Sequence, residues 1–170
     1  VTMPNAFDLI AQKHKAHLFR IAQNLHSPMY TANFGGILLI VDGAGGFIFP
    51  AFQPAVDGMT ATVRLLEYLA VRNMPLSQVI ADLPPFHLVN ESVECPWETK
   101  GAVMRVLINR TASGPVEKID GIKLRLNNNE WVHISPNAEK PRFEVVAEGA
   151  TPQRAHELVA EYRHLIHEIV

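Results

Sequence analysis

Residues 135–142 read Ser-Pro-Asn-Ala-Glu-Lys-Pro-Arg, a stretch that gathers a hydroxyl, a carboxamide, backbone N–H groups and two cations, Lys140 and Arg142. Such a mixture suits an anionic ligand such as a phosphate, because ionised side chains and clustered N–H groups make charge-assisted bonds to oxyanions. The same residues also describe a solvated connection with ordinary surface charges, and the two readings stand side by side. A second candidate is the glycine run Asp42-Gly43-Ala44-Gly45-Gly46. A Walker loop would continue with Lys-Ser/Thr, and a dinucleotide fingerprint with G-x-G-x-x-G before a helix. Phe47-Ile48-Phe49-Pro50 follows instead, so a strand-to-strand turn is expected. Among the eight histidines, His14 and His17 are three apart, as are His164 and His167, a spacing that can clasp a metal on a helix face. No cysteine or carboxylate cluster completes a ligand set, so no metal is predicted. His156, His164 and His167 are read as solvent-facing. Cys95 sits beside Pro96 with no histidine close in sequence to activate it, and no catalytic residue is assigned.

The elements that must hold the first candidate are three runs of period two. Ile122, Leu124 and Leu126 alternate with Lys123 and Arg125; Trp131-Val132-His133-Ile134 follows; Phe143, Val145 and Ala147 alternate with Glu144 and Glu148. Alternation of this kind puts one face of a strand on a core and the other in water. Asn127-Asn128-Asn129 suits a hairpin turn between the first two runs. The result is an antiparallel sheet presenting loop 135–141. A helix from Glu98 or Thr99 to Arg110 precedes it. A second helix follows from Thr151-Pro152, with an apolar stripe of Ala155, Leu158, Val159, Tyr162, Leu165, Ile166 and Ile169. This is an α+β pattern with helices on one sheet face.

The first half alternates strands and helices. Val1-Thr2-Met3 reads as the end of a strand stopped by Pro4, and Asn5 as the N-cap of a helix over 6–14. His17–Ile21 is a candidate strand, Ser27-Pro28 starts a short helix, and Ile37–Val41 has the continuous apolar run of a strand buried on both faces. Phe47–Phe49 is a further strand. Asp57 caps a helix to Arg72 with Met59, Val63, Leu66 and Ala70 on one stripe, and another helix spans 76–81. The pattern indicates a layered α/β unit. With Asn90–Trp97 as linker, the chain divides into an α/β domain over 1–95 and an α+β domain over 98–170.

A chain of 170 residues with 48% apolar and 19% charged residues is globular in composition. A net charge of −2 gives no basic patch and argues against nucleic acid or an anionic membrane as main partner. No apolar run approaches the roughly 18–20 residues of a membrane span, and no signal peptide is legible. One cysteine excludes an internal disulfide framework and fits a cytoplasmic setting. Opening on Val1 is expected of a domain cut from a longer protein, and processing of the chain would produce the same end.

The order of these landmarks resembles the C-terminal half of the α-D-phosphohexomutases, the phosphomannomutase/phosphoglucomutase enzymes. The matching residues are the glycine turn with Phe47-Ile48-Phe49, Asp57-Gly58-Met59-Thr60-Ala61, Lys100-Gly101, Asp120-Gly121-Ile122-Lys123, Trp131-Val132, Pro136, Pro141 and Glu148. The resemblance covers essentially the whole chain and implies a three-layer α/β third domain followed by a small antiparallel-sheet fourth domain with flanking helices. It implies an enzyme that moves phosphate between O1 and O6 of a hexose through a phosphoserine and magnesium, both held in domains upstream of the stretch compared. Magnesium is therefore expected in an active parent and no cofactor in this fragment.

The resemblance also assigns sites. The family's sugar loop, Gly-Glu-x-Ser-Gly-His, falls on residues 42–47, with Gly43 in place of Glu, Gly45 in place of Ser and Phe47 in place of His. Its phosphate loop, Arg-Pro-Ser-Gly-Thr-Glu-Pro, falls on Ser135-Pro136-Asn137-Ala138-Glu139-Lys140-Pro141. Ser135 replaces the phosphate-forking arginine and Glu139 adds a negative charge, while Lys140 and Arg142 compensate in part. His26 matches, more loosely, a Gly-His loop facing the substrate. Both loops are degenerate, so a hexose phosphate is expected to bind weakly or not at all, and the partners implied are the missing N-terminal domains of the same polypeptide; an oligomer is compatible with all of this. Gly-Gly-Phe-Ile-Phe-Pro and Cys-Pro-Trp-Glu-Thr-Lys-Gly further resemble the mutase-like region of mannose-1-phosphate guanylyltransferase fusions. That resemblance implies a non-catalytic sensing or assembly module.

Overall fold

A computed structural model describes residues 1–22, 24, 26–111, 116–127 and 129–170. Its elements in chain order are α1 (Ala6–Lys13), α2 (His26–Thr31), β1 (Ile40–Val41), β2 (Phe47–Ile48), α3 (Gly58–Arg72), α4 (Leu76–Ala81), β3 (His87–Glu94), α5 (Lys100–Thr111), β4 (Val116–Glu117), β5 (Ile122–Arg125), β6 (Trp131–Pro136), β7 (Arg142–Gly149) and α6 (Pro152–His167). They form two compact units, one of Val1–Lys15 with Pro85–Val170 and one of Ala16–Pro84. The architecture is mixed α/β, with one five-stranded and one two-stranded antiparallel sheet. Among the described residues no helix is long and apolar enough to cross a membrane.

In the first unit the strand order is β3-β7-β6-β5-β4, every pairing antiparallel. Register sets the core: Ile122 faces Ile134, Leu124 faces Val132, and Ile134 faces Val145 across neighbouring strands. Against that face pack Val103 and Leu107 of α5 and Leu158, Val159 and Ile166 of α6, all fully buried. The terminal helix begins where the sequence places it, because the Thr151 side chain accepts the Arg154 N–H and Pro152 takes the first turn. Gly121 enters β5 in a backbone that only glycine accepts. Gly121 has φ +132°, and a Cβ there would lie 2.2 Å from the Ile134 carbonyl oxygen. Asn127 and Asn129 lie between β5 and β6 as a hairpin turn requires; Asn128 lies outside the described residues.

Two expectations change in this unit. Residues 90–94, read as linker, belong to β3, which pairs with β7 over its whole length from His87↔Gly149 to Glu94↔Arg142. Its alternation is masked by polar side chains at an edge, which is why it reads as a connection. The second change concerns the face assigned to water. Lys123, Trp131, His133 and Glu148 stand on it and are all buried, because residues 1–15 lie within the same unit and cover them. Lys123 Nζ donates to the Val1 carbonyl at 2.8 Å and lies 3.8 Å from the Trp131 ring centre. The Glu148 carboxylate accepts from Trp131 Nε1 at 2.5 Å and from the Asn5 N–H at 2.9 Å. Val1–Met3 is therefore not a strand. Asn5 makes no side-chain cap; its own N–H is received by Glu148.

The second unit has a small core of Ala32, Ile40 and Ile48, with Ile21, Met29 and Ile37 packed on it. β1 and β2 pair as Ile40↔Ile48 and Val41↔Phe47. Helix α3 starts as expected: Asp57 accepts the Thr60 N–H at 2.9 Å and the Thr60 hydroxyl at 2.7 Å, and these bonds hold its carboxyl below the usual range. It ends at Asn73 in the left-handed conformation. The stripe on α3 is amphipathic but not buried: Met59 is 83% and Val63 62% exposed. Strand 17–21 does not form, and strand 37–41 shrinks to Ile40–Val41, leaving Leu38 exposed. A continuous apolar run becomes a buried strand only if neighbouring strands and covering helices meet it, and a two-stranded ladder has too little area to cover α3.

Candidate functional site

Loop 137–141 closes the hairpin between β6 and β7, whose last pairs are Ser135↔Glu144 and Pro136↔Phe143. The Asn137 N–H donates to the Arg142 carbonyl at 3.0 Å and the Arg142 N–H to the Lys140 carbonyl at 2.8 Å, so both strand ends are tied. Within the loop the Asn137 Oδ1 accepts two backbone N–H groups, those of Glu139 and Lys140, each at 2.9 Å. Asparagine favours this arrangement because its short side chain reaches the backbone two and three residues on. Its Nδ2 donates to Glu144 Oε1 at 2.8 Å, and Arg142 Nε donates to the same oxygen at 2.8 Å. The Pro141 carbonyl accepts the Cys95 N–H at 2.8 Å.

Beneath the loop stands a side chain absent from the sequence-derived site. Lys100, 8% exposed, donates from Nζ to the Asn137 carbonyl at 2.6 Å and the Lys140 carbonyl at 2.5 Å, and lies 3.6 Å from the Trp97 ring centre. Lys100-Gly101 is visible as a landmark, but its contact lies 37 residues away in the chain. Glu144 was also missed, since an alternating glutamate on a strand carries no mark of the cation it will meet. The only local signal is Trp97 three residues before Lys100 at a helix start, a spacing that lets an indole and an ammonium meet.

The structure therefore brings Ser135, Asn137, Ala138, Glu139, Lys140 and Arg142 into one hairpin end. What this arrangement can do chemically is limited. The N–H groups of Glu139 and Lys140 are both received by the carboxamide oxygen of Asn137. Arg142 is engaged by Glu144, with both side chains largely covered. Lys140 and Glu139 are exposed and adjacent, with opposite charge.

Gly43 and Gly45 lie in the β1–β2 connection of the other unit, and Phe47 opens β2. Asp42 Oδ1 accepts the N–H groups of Ala44 and Gly46 at 2.7 and 2.8 Å, and Gly43 and Gly45 hold φ of +78° and +99°. The turn is again satisfied from within, and the residue that follows it, Phe47, carries an exposed phenyl ring. A cavity of the same unit is lined by Asn24, Met29, Ile40, Asp42, Gly46 and Ile48, among others; His26, Gly43, Gly45 and Phe47 do not line it. His26 is exposed at the start of α2, its N–H received by Asn24 Oδ1 at 3.1 Å.

Among the described residues no three His, Cys, Asp or Glu side chains come together to hold a metal ion. The described residues therefore do not fit the magnesium that the resemblance implies for an active parent. His156, His164 and His167 are exposed, with His164 3.4 Å from Glu168. Among the described residues His133 is the one buried histidine: its Nε2 meets the Ile119 carbonyl at 3.1 Å, its Nδ1 has no partner there, and burial pushes its pKa down.

Residues 1–86 match the family described as phosphoglucomutase/phosphomannomutase, alpha/beta/alpha domain III. A probable phosphoglucosamine mutase of Methanopyrus kandleri is 30% identical over 128 residues, 74% of this chain and 28% of that protein. The phosphopentomutase of Thermococcus kodakarensis is 33% identical over 117 residues, 65% of this chain and 26% of its own. The phosphoglucosamine mutase of Methanocaldococcus jannaschii is 28% identical over 141 residues, 81% and 30% respectively. The chain thus spans less than a third of the length of these relatives.

Proposed function

The chain belongs to the phosphoglucomutase/phosphomannomutase family, and from that membership we propose that it is the C-terminal portion of a phosphohexomutase-like protein of hexose-phosphate and sugar-nucleotide metabolism in which the sugar and phosphate loops no longer grip their ligands. On this reading the chain carries no catalytic residue, and any phosphoserine and magnesium of its parent stand elsewhere in that parent, in the cytoplasm. The observation that supports it is the internal satisfaction of loop 137–141: Asn137 Oδ1 occupies two of its N–H donors. Ser135 stands where the family loop has its phosphate-forking arginine, and Arg142 spends its Nε on Glu144. An anion that reaches for those two donors must displace a bond already made, so it gains little there. The turn at Gly43 and Gly45 offers no side-chain donor to a sugar hydroxyl, which removes the kind of contact that discriminates strongly between ligands.

Calorimetry of the 170-residue chain against hexose, hexosamine and pentose phosphates tests this. Affinity weaker than about 1 mM is expected, equivalent to less than about 4 kcal/mol of binding free energy. Micromolar binding, or turnover between the 1- and 6-phosphates by the chain alone, overturns the reading.

A second reading is favoured by the stretches 45–50 and 95–101: the chain is a non-catalytic sensing or assembly module of a mannose-1-phosphate guanylyltransferase. It predicts that a fused or added guanylyltransferase changes its rate or assembly state when this chain is deleted. A transferase indifferent to that deletion rules it out.

A further inference from the structure

Lys100 is the first residue of α5, where the positive end of the helix dipole disfavours a cation. Its ammonium is nonetheless buried, with donors directed to the Asn137 and Lys140 carbonyls and the indole face of Trp97 alongside. An ammonium has three donors and no acceptor. Two carbonyl oxygens and an aromatic face supply the compensation that burial of a charge demands.

This contact has a stereochemical consequence. No cis peptide bond occurs among the described residues, so the Ala138 N–H is directed opposite to the Asn137 carbonyl, away from Lys100. Among the described residues the Ala138 N–H has no protein acceptor, whereas those of Asn137, Glu139, Lys140 and Arg142 are all engaged. Pro141 has no N–H to present. We propose that Lys100 is the positioning residue of this loop: its ammonium holds two carbonyls inward, and thereby turns the Ala138 N–H outward as the donor left for an oxyanion. The inference deepens the reading of 135–141 as the family's phosphate loop and rests on it.

The experiment is amide NMR on the full chain, native and Lys100→Met, a change that keeps most of the buried stem and removes the ammonium. In the native protein the Lys100 ε-methylene protons are expected well upfield of solvent-exposed lysines, shifted by the Trp97 ring. Solvent-like shifts overturn the contact without any variant. In Lys100→Met, exchange of the Glu139 and Lys140 amides rises by about tenfold or more relative to sheet amides such as Val145, the scale of one lost charge-assisted bond. Equal changes in loop and sheet reduce Lys100 to a general stabiliser and overturn the proposal. Lys100→Ala with added ethylammonium recovers the loop protection, and potassium at the same ionic strength does not; identical effects of the two salts count against the pin. Titration with inorganic phosphate moves the native Ala138 amide at millimolar concentration and leaves that of Lys100→Met in place. A native chain whose loop amides ignore phosphate removes the donor role of Ala138. The exchange and rescue results would still decide the pin itself, so the two readings fail separately.

Discussion

Replacing Asn137 by alanine removes three contacts at once: two N–H groups received at 2.9 Å and one donation to Glu144 at 2.8 Å. A neutral hydrogen bond is worth about 0.5–1.5 kcal/mol net and one to a charged group somewhat more. The residue is half-buried, so water recovers part of the loss, and a net destabilisation of about 2 kcal/mol follows. Both tryptophans, Trp97 and Trp131, lie in the unit that contains the loop, so their fluorescence follows its unfolding without interference from residues 16–84. With a urea dependence of about 1–2 kcal/mol per molar, the midpoint should fall by about 1–2 M. A double-mutant cycle with Glu144→Ala should return a coupling of about 0.5–1 kcal/mol for the Nδ2 contact. A midpoint shift below about 0.3 M, far under what the worth of these bonds implies, would mean that the loop is not organised by this side chain, and the argument for its weak hold on phosphate would go with it.

Other outcomes follow from the same structure. His133 is held neutral by burial, so the unfolded chain binds a proton that the folded chain resists; its contribution to stability is complete above about pH 6.5 and is lost as pH falls below that value. Urea midpoints at pH 8 and 5.5 should diverge in the native chain and converge in His133→Leu; parallel loss in both removes His133 as the cause. Glu148→Ala strands the Trp131 indole N–H and the Asn5 N–H in a covered site, and should cost roughly 3 kcal/mol in the same fluorescence assay. Val63→Ser on α3 should cost less than about 0.5 kcal/mol in this chain, as for surface positions. A loss of 2 kcal/mol or more would show that the helix face is covered in solution.

The parts of the fold legible in the sequence are those set by local chemistry. Thr151-Pro152 and Asp57 mark helix starts because a side-chain oxygen three residues ahead of a free N–H caps it wherever the helix packs. The alternation at Ile122, Leu124, Phe143 and Val145 names the core face, since side-chain direction has period two in any strand. Helix α4 at Leu76–Ala81 was equally visible between its prolines. β3 was not: its polar edge residues imitate a linker until β7 pairs with them. The α3 stripe was visible as a pattern, but a pattern states which side prefers burial and not whether anything is present to bury it.

The candidate site divides along the same line. Residue order alone places a polar loop within 135–142 between two strands, and shows that the arginine, threonine, glutamate, serine and histidine expected by resemblance are replaced by Ser135, Glu139, Gly43, Gly45 and Phe47. Those are identities, and identities are read directly. How the donors are engaged follows from the folded chain and not from residue order. Asn137 turns its oxygen onto the loop's own N–H groups, Arg142 leans on Glu144, and Lys100 reaches the loop from a helix 37 residues earlier. The physical reason is that a hydrogen-bonding group chooses among every partner the fold brings within about 3 Å, and chain order carries no record of those distances.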